Sequence, residues 1–170
     1  MYVCNYFVVP STASDGAPGV DPVVEAVLLA SRALVAVAAR SLSGAAEEVT
    51  VPQYRALVVL ASRGPQSIGP LAAALGVAPS TATRMADRLV RKGLVRRRTS
   101  RQDRRQVRLA LTEPGHRLVA EVTEHRREEI SSIVAAMPQE RRERLVDSLA
   151  SFAEAAGEVA DRDWAAGWEL

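Results

Sequence analysis

Ser67 to Thr112 reads SIGPLAAALGVAPSTATRMADRLVRKGLVRRRTSRQDRRQVRLALT, and the changes of period along it decide the fold. Ile68, Leu71, Ala72 and Leu75 recur at i, i+3, i+4 and i+7, which is one face of a helix. Ser67 stands where an N-cap belongs, Pro70 falls in the first turn where a missing N–H costs little, and Gly76 ends the helix. A second helical pattern begins near Pro79 and runs to about Lys92, with Gly93 as its stop. Its inward positions are Ala82, Met85, Ala86, Leu89 and Val90; its outward face carries Ser80, Thr83, Arg84, Asp87, Arg88 and Arg91. Beyond Gly93 the period falls from 3.6 to 2. Leu94, Val95 and the triplet Arg96, Arg97, Arg98 lead to a polar tip, after which Val107, Leu109 and Leu111 alternate with Arg108 and Ala110, predicting a two-stranded hairpin. Two short helices, a tight turn and a hairpin make a winged helix-turn-helix.

The same stretch concentrates the charge. Arg84 to Arg108 holds 11 of the 22 Lys and Arg side chains against two acids, Asp87 and Asp103. That is +9 in 25 residues of a chain whose net charge is +2, so the other 145 residues sum to −7. A field confined to one surface implies a polyanion partner, and the winged motif makes that partner double-stranded DNA. Ser80, Thr81, Thr83 and Arg84 open the second helix, where side chains meet base edges in the major groove; Arg pairs bidentately with guanine. Arg88 and Arg91 lie further along and suit phosphates. On the wing, Arg97, Arg98, Arg101, Arg104 and Arg105 are the candidate DNA contacts, the tip reaching toward the minor groove. Asp103 would repel phosphate, so its expected role is to aim Arg105 by pairing with it, the alternative being a turn residue with no partner in the complex.

Outward from this motif, the rest reads as helix. Asp21 to about Leu42 carries Val24, Val27, Leu28, Leu34, Val35, Ala38 and Leu42 at helical spacing, with Asp21 as N-cap and Pro22 following. Pro52, Tyr54, Leu57, Val58 and Ala61 outline another helix, stopped at Gly64 and Pro65. Thr112 caps a long helix with Leu118, Val122, Ile130, Ile133 and Met137 inward, and beyond Pro138 a last helix carries Leu145, Leu149, Phe152 and Ala156. The expected fold is mainly α, a winged helix-turn-helix of six helices and a two-stranded β wing. The expected organisation is a flexible arm over 1–20, an N-terminal dimerisation helix and loop over 21–50, the winged domain over 51–112, C-terminal dimerisation helices over 113–160 and a tail over 161–170.

Asp103-Arg104-Arg105-Gln106-Val107-Arg108-Leu109-Ala110-Leu111-Thr112 matches the wing signature D-x-R-x-x-x-[VL]-x-L-T, and Ser80 to Val95 looks like the recognition helix and first wing strand of the same family. On these residues the chain resembles the MarR family of bacterial transcriptional regulators, over about Asp21 to Ala160. The resemblance implies a homodimer interlaced through the first and last two helices, with each recognition helix in half of a pseudo-palindromic operator. It also implies that Asp103 and Arg105 are the wing Asp and minor-groove Arg, and that a small aromatic or anionic effector releases the repressor. Independently, three long apolar helix faces exceed what the winged core can cover, which calls for a second copy. Ala78 departs from the family pattern, which places Ser, Thr or Asp at the recognition-helix cap.

Other residues carry less. Cys4 is the single cysteine, so there is no disulfide framework, and it precedes the first helix, an incidental position for a thiol. His116 and His125 lie nine residues apart and make no metal pair. Glu121, Glu124, Arg126, Arg127, Glu128 and Glu129 read as a solvated helix face laced with ion pairs. Arg32, Arg40 and Arg55 are expected at the surface rather than on an anionic ligand, and Trp164 and Trp168 either pack on a dimer partner or belong to an exposed tail. No stretch approaches the roughly 20 apolar residues that span a bilayer, so neither membrane nor leader is expected and the setting is cytoplasmic. No nucleophile with its base, phosphate loop or metal quartet points to an enzyme, and no cofactor is expected. A non-specific architectural nucleic-acid-binding protein is the alternative.

Overall fold

The computed structural model describes residues 20–45, 49–99 and 107–158. In order these form α1 (Val20–Ser41), a 3-10 turn (Ser43–Ala45), α2 (Val51–Arg63), α3 (Ile68–Leu75), α4 (Pro79–Arg91), β1 (Val95–Thr99), β2 (Val107–Leu111), α5 (Glu113–Ala135) and α6 (Gln139–Ala155). The described residues thus give the expected mainly α fold of six helices and one antiparallel two-stranded wing. Two compact units divide the chain, Met1–Val35 and Ala36–Leu170, so the boundary falls within α1.

Helix ends follow local chemistry. Thr50 precedes α2 in an extended conformation, its N–H donating to Gln53 Oε1 at 3.2 Å, the return half of a capping box that the sequence spells as Thr-x-x-Gln. Gly64 ends α2 at φ 69°, and Gly76 ends α3 at φ 64°, with Gly76 N–H donating to Ala73 O at 3.1 Å and Val77 N–H to Ala72 O at 3.1 Å. Ser67 occupies the cap position of α3, but its hydroxyl makes no capping bond. Asp21 is not the cap of α1 either, because the helix already includes Val20. Thr112 is a true cap, accepting from Gly115 N–H at 3.2 Å.

The core of the second unit forms where α2, α3, α4, the base of the wing and the first half of α5 meet. Leu57, Leu71, Leu89 and Leu109 are fully enclosed, each burial stabilising by roughly 1.5–3 kcal/mol. Val119 belongs to this core at 0% exposure beside the expected Leu118 and Val122. On β2 the strict alternation fails: Ala110 is buried, whereas Val107, toward the tip, is half exposed.

The outer helices are different. Val24, Leu28, Leu34 and Val35 of α1 are exposed, α6 has no buried residue, and Val146, Leu149 and Phe152 lie open on it. By length and composition α1 is long and apolar enough to cross a membrane, which corrects the expectation that no stretch comes close. Polar links tie α6 at both ends. Arg142 donates to Met137 O and Ala135 O, each at 2.8 Å, closing the turn after α5. At the other end Arg63 donates to Gly157 O at 3.0 Å, and Arg55 pairs with Glu158.

Candidate nucleic-acid interface

The recognition helix α4 is fixed from below by small side chains. Ala82, Ala86 and Leu89 are essentially inaccessible, which lets α4 lie close on α3 and the wing. Its N-terminus lacks a side-chain cap. Ala78 is extended at φ −63° and ψ 146°, and Pro79, having no N–H, removes one orphan donor there. Thr83 Oγ1 donates to Pro79 O at 2.9 Å, binding the first turn together from within the helix.

That arrangement sorts the candidate readers. Ser80, Arg84, Arg88 and Arg91 are exposed and fall at i, i+4, i+8 and i+11, a single stripe along the outer face. Thr81 and Thr83 are half-buried, and the Thr83 hydroxyl proton is committed to Pro79, so it meets a partner chiefly as an acceptor. Ser80 and Arg84 are therefore the most available groups at the N-terminal end of α4, where base contacts are expected. Asp87 lies on the same side, half-buried, and forms an ion pair with Arg97 of β1.

The wing register explains that pair. Val95 faces Leu111, Arg96 faces Ala110, Arg97 faces Leu109, Arg98 faces Arg108 and Thr99 faces Val107. Alternation puts Val95, Arg97 and Leu109 on the side toward α4, while Arg96, Arg98 and Arg108 share the opposite side. Arg97 and Arg98, both expected on DNA, thus point to different faces. Arg97 is engaged with Asp87; Arg98 is exposed beside Arg108. Arg96 and Arg108 were not among the sequence candidates, and the signal that finds them is strand parity. Arg101, Asp103, Arg104 and Arg105 lie outside the described residues, as do Cys4, Trp164 and Trp168.

The base of the wing is clamped. Leu109 exchanges two backbone hydrogen bonds with Gln66, at 3.0 and 2.7 Å, joining β2 to the segment between α2 and α3. Leu94 N–H donates to Leu89 O at 3.0 Å, Thr112 N–H donates to Leu94 O at 3.1 Å, and Thr112 Oγ1 donates to Gly93 O at 2.5 Å. Gly93, at φ 72°, makes the turn from α4 into β1. Behind this seam sits His116, held below the ordinary histidine pKa of 6.5 first by burial and also by the Arg96 cation, with Glu113 opposing.

Two of the three cations expected at the surface are paired. Arg40 meets Glu129 at 2.6 Å, and Arg55 meets Glu158, as surface pairs worth about 0–1 kcal/mol each. Arg32 lies on exposed α1 in the first unit, beside a groove lined by Glu25, Leu28 and Leu29. Arg126 departs from the solvated face expected for it: its guanidinium carbon stacks 5.5 Å from the Tyr54 ring centre, and Glu129 is taken by Arg40. Arg127 with Glu124, at 3.3 Å, is the one expected kind of ion pair described within that run. Among the described residues no group of three or more His, Cys, Asp or Glu is placed to hold a metal.

Similarity to known proteins follows the same outline. The MarR family pattern matches residues 49–107. Transcriptional repressor MprA of Escherichia coli (strain K12) is 42% identical over 79 residues, 45% of each chain. The chain therefore spans about half the length of that relative. HTH-type transcriptional repressor MdtR of Bacillus subtilis (strain 168) is 32% identical over 108 residues, 64% of this chain and 70% of the relative. The crystal structure of RV1404 from Mycobacterium tuberculosis superposes with a TM-score of 0.78 at 44% identity, covering 86% of this chain and 99% of that one. With the winged fold, the exposed basic stripe and these relatives in agreement, the chain belongs to the MarR family of transcriptional regulators.

Proposed function

We propose that the protein is a homodimeric cytoplasmic repressor, without enzymatic activity, that binds a pseudo-palindromic operator in double-stranded DNA. The observation that carries this reading is the single exposed stripe of Ser80, Arg84, Arg88 and Arg91 on a helix narrow enough for the major groove, flanked by a basic wing. Ser80 and Arg84, with Thr81 and Thr83 beside them, read bases; Arg88 and Arg91 hold phosphates. Arg101, Arg104 and Arg105 at the wing tip reach the minor groove, Asp103 aiming Arg105. Dimerisation through α1, α5 and α6 is supported by the apolar residues those helices leave exposed, Leu28, Leu34, Ile133, Leu149 and Phe152 among them. Two-fold symmetry then places half-sites roughly 10 bp apart. Release by a small aromatic or anionic effector follows from the family alone.

The deciding experiment is to sequence the fragments the protein selects from its own genome. A recurrent palindrome with half-sites one helical turn apart is the expected result; binding with no preferred sequence would make it an architectural protein instead. Arg84→Ala should weaken operator binding by about 1–3 kcal/mol and relax preference at one base position. An equal loss on all sequences would make Arg84 a phosphate contact.

A further inference from the structure

The last turn of α6 is closed at a defined point and then fastened to α2. Gly157 follows the helix at φ 71°, its N–H donating to Glu154 O at 2.9 Å, and Glu158 N–H donates to Ala153 O at 3.0 Å. These two reverse bonds make a Schellman motif, which needs the left-handed residue that glycine supplies. The motif presents the Gly157 carbonyl and the Glu158 carboxylate in succession, and each meets an arginine of α2. Arg63 donates to Gly157 O at 3.0 Å. Arg55 donates through both terminal nitrogens to the two Glu158 oxygens, Nη1 to Oε2 at 3.2 Å, a fork that fixes direction as well as distance. The two arginines stand roughly 12 Å apart along α2, so the end of α6 is held at two points rather than one. As stabilisation this is minor, because the Arg55–Glu158 pair is nearly half exposed. Its consequence is geometric. Through Leu57 and Leu60, α2 belongs to the winged core, whereas α6 buries none of its residues and leaves Val146, Leu149 and Phe152 open.

We propose that Arg55, Arg63 and Glu158 form a positioning clasp that holds each winged lobe at a fixed angle to the dimerisation helices and so sets the separation of the two recognition helices. A lobe attached only along α5 can pivot about that helix; a second attachment, at the end of α6, removes this freedom. The three are positioning residues, acting through the placement of α4. The clasp rests on the proposed homodimer, since the separation exists only in a pair of chains.

The test measures that separation in the full chain. With Cys4→Ser and Ala73→Cys, a nitroxide on the exposed Ala73 position of α3 reports the distance between the two lobes of a dimer by double electron–electron resonance. The parent should give one narrow distance distribution. Arg55→Ala and Glu158→Ala should each broaden it, and the charge exchange Arg55→Glu with Glu158→Arg should narrow it again, which a merely stabilising pair would not do. Molar salt, where the screening length is about 3 Å, should broaden the parent and leave Glu158→Ala unchanged. On the selected palindrome, inserting one base pair between the half-sites should weaken the parent more than Glu158→Ala, whose lobes can follow the displaced half-site. A distribution in Glu158→Ala as narrow as the parent's overturns the clasp and leaves the regulator reading intact. A parent without dipolar signal that sediments as a monomer overturns the dimer as well.

Discussion

Gly115→Ala tests whether the wing is seated as described. Gly115 is buried in the first turn of α5, and a Cβ there would stand 2.1 Å from the Leu94 carbonyl oxygen, 3.1 Å from its carbon and 3.4 Å from Leu111 Cδ2. Close C–H···O contacts lie at about 3.3–3.6 Å, so α5 and the start of β1 must part by roughly 1 Å. The obstacle is backbone, which cannot rotate aside. The carbonyl in question accepts from Thr112 N–H at 3.1 Å, and Gly115 N–H itself donates to the Thr112 cap at 3.2 Å.

Overpacking of this kind costs about 1–3 kcal/mol, and weakening one hydrogen bond of the seam adds about 0.5–1.5. Against that, Ala is favoured over Gly in a helix by up to ~1 kcal/mol. The net loss should be about 1–3 kcal/mol, which for a chain of this size lowers the melting temperature by roughly 2–12 °C. Thermal and urea unfolding followed by circular dichroism, at matched protein concentration, measure it, and operator affinity should fall as well because the wing base has moved. A variant as stable as the parent, or more so, would mean that helix propensity dominates and that α5 does not approach Leu94 this closely.

Three further outcomes are expected. Asp87→Asn frees Arg97: stability should change by no more than about 1 kcal/mol because the pair is half exposed, while discrimination between operator and random DNA falls; unchanged discrimination would remove Asp87 from the wing's positioning. His116 is held below 6.5 in the fold, so the unfolded chain binds the extra proton first; its contribution is intact above about pH 6.5 and is lost as pH falls below that value, and His116→Gln should flatten the stability profile there in urea titrations. Arg126→Ala removes the cation stacked on Tyr54 and should destabilise by about 0.5–2 kcal/mol, with Arg126→Lys milder; no change in the unfolding midpoint would return Arg126 to the solvated face.

Particular residues show where sequence reading reaches and where it stops. Gly76 and Gly93 were legible because each helix there ends in a left-handed residue that only glycine adopts easily, and both have positive φ. The Thr50–Gln53 cap was equally legible as a pattern, though Pro52 draws the eye first. Arg126 sits at i+7 from Val119 and i+4 from Val122, so periodicity places it inward; its charge argued otherwise, and the long aliphatic stem resolves the conflict by carrying the guanidinium over Tyr54. Gly115 was illegible, because its close approach to Leu94, 21 residues earlier, leaves no local mark. Nor could the Arg triplet be divided without the register, since a slip of one residue exchanges the two faces of a strand.

The recognition helix brings these threads together. It has no side-chain cap at Ala78, and two of its buried contacts are alanines, so little of its stability is its own. What holds it are neighbours: α3, and the wing strand β1 that follows the turn at Gly93 and is pinned through Leu94, Thr112 and Gly115 to α5. A displacement of α5 therefore has two routes to α4: a short chain of backbone hydrogen bonds with one ion pair, Asp87 with Arg97, and the core that the two helices share. On the proposed dimerisation, in which α5 packs on a second copy, the geometry of that pairing would bear on the aim of Arg84 through this seam. Mutations along the seam should accordingly alter operator affinity even where they touch no DNA.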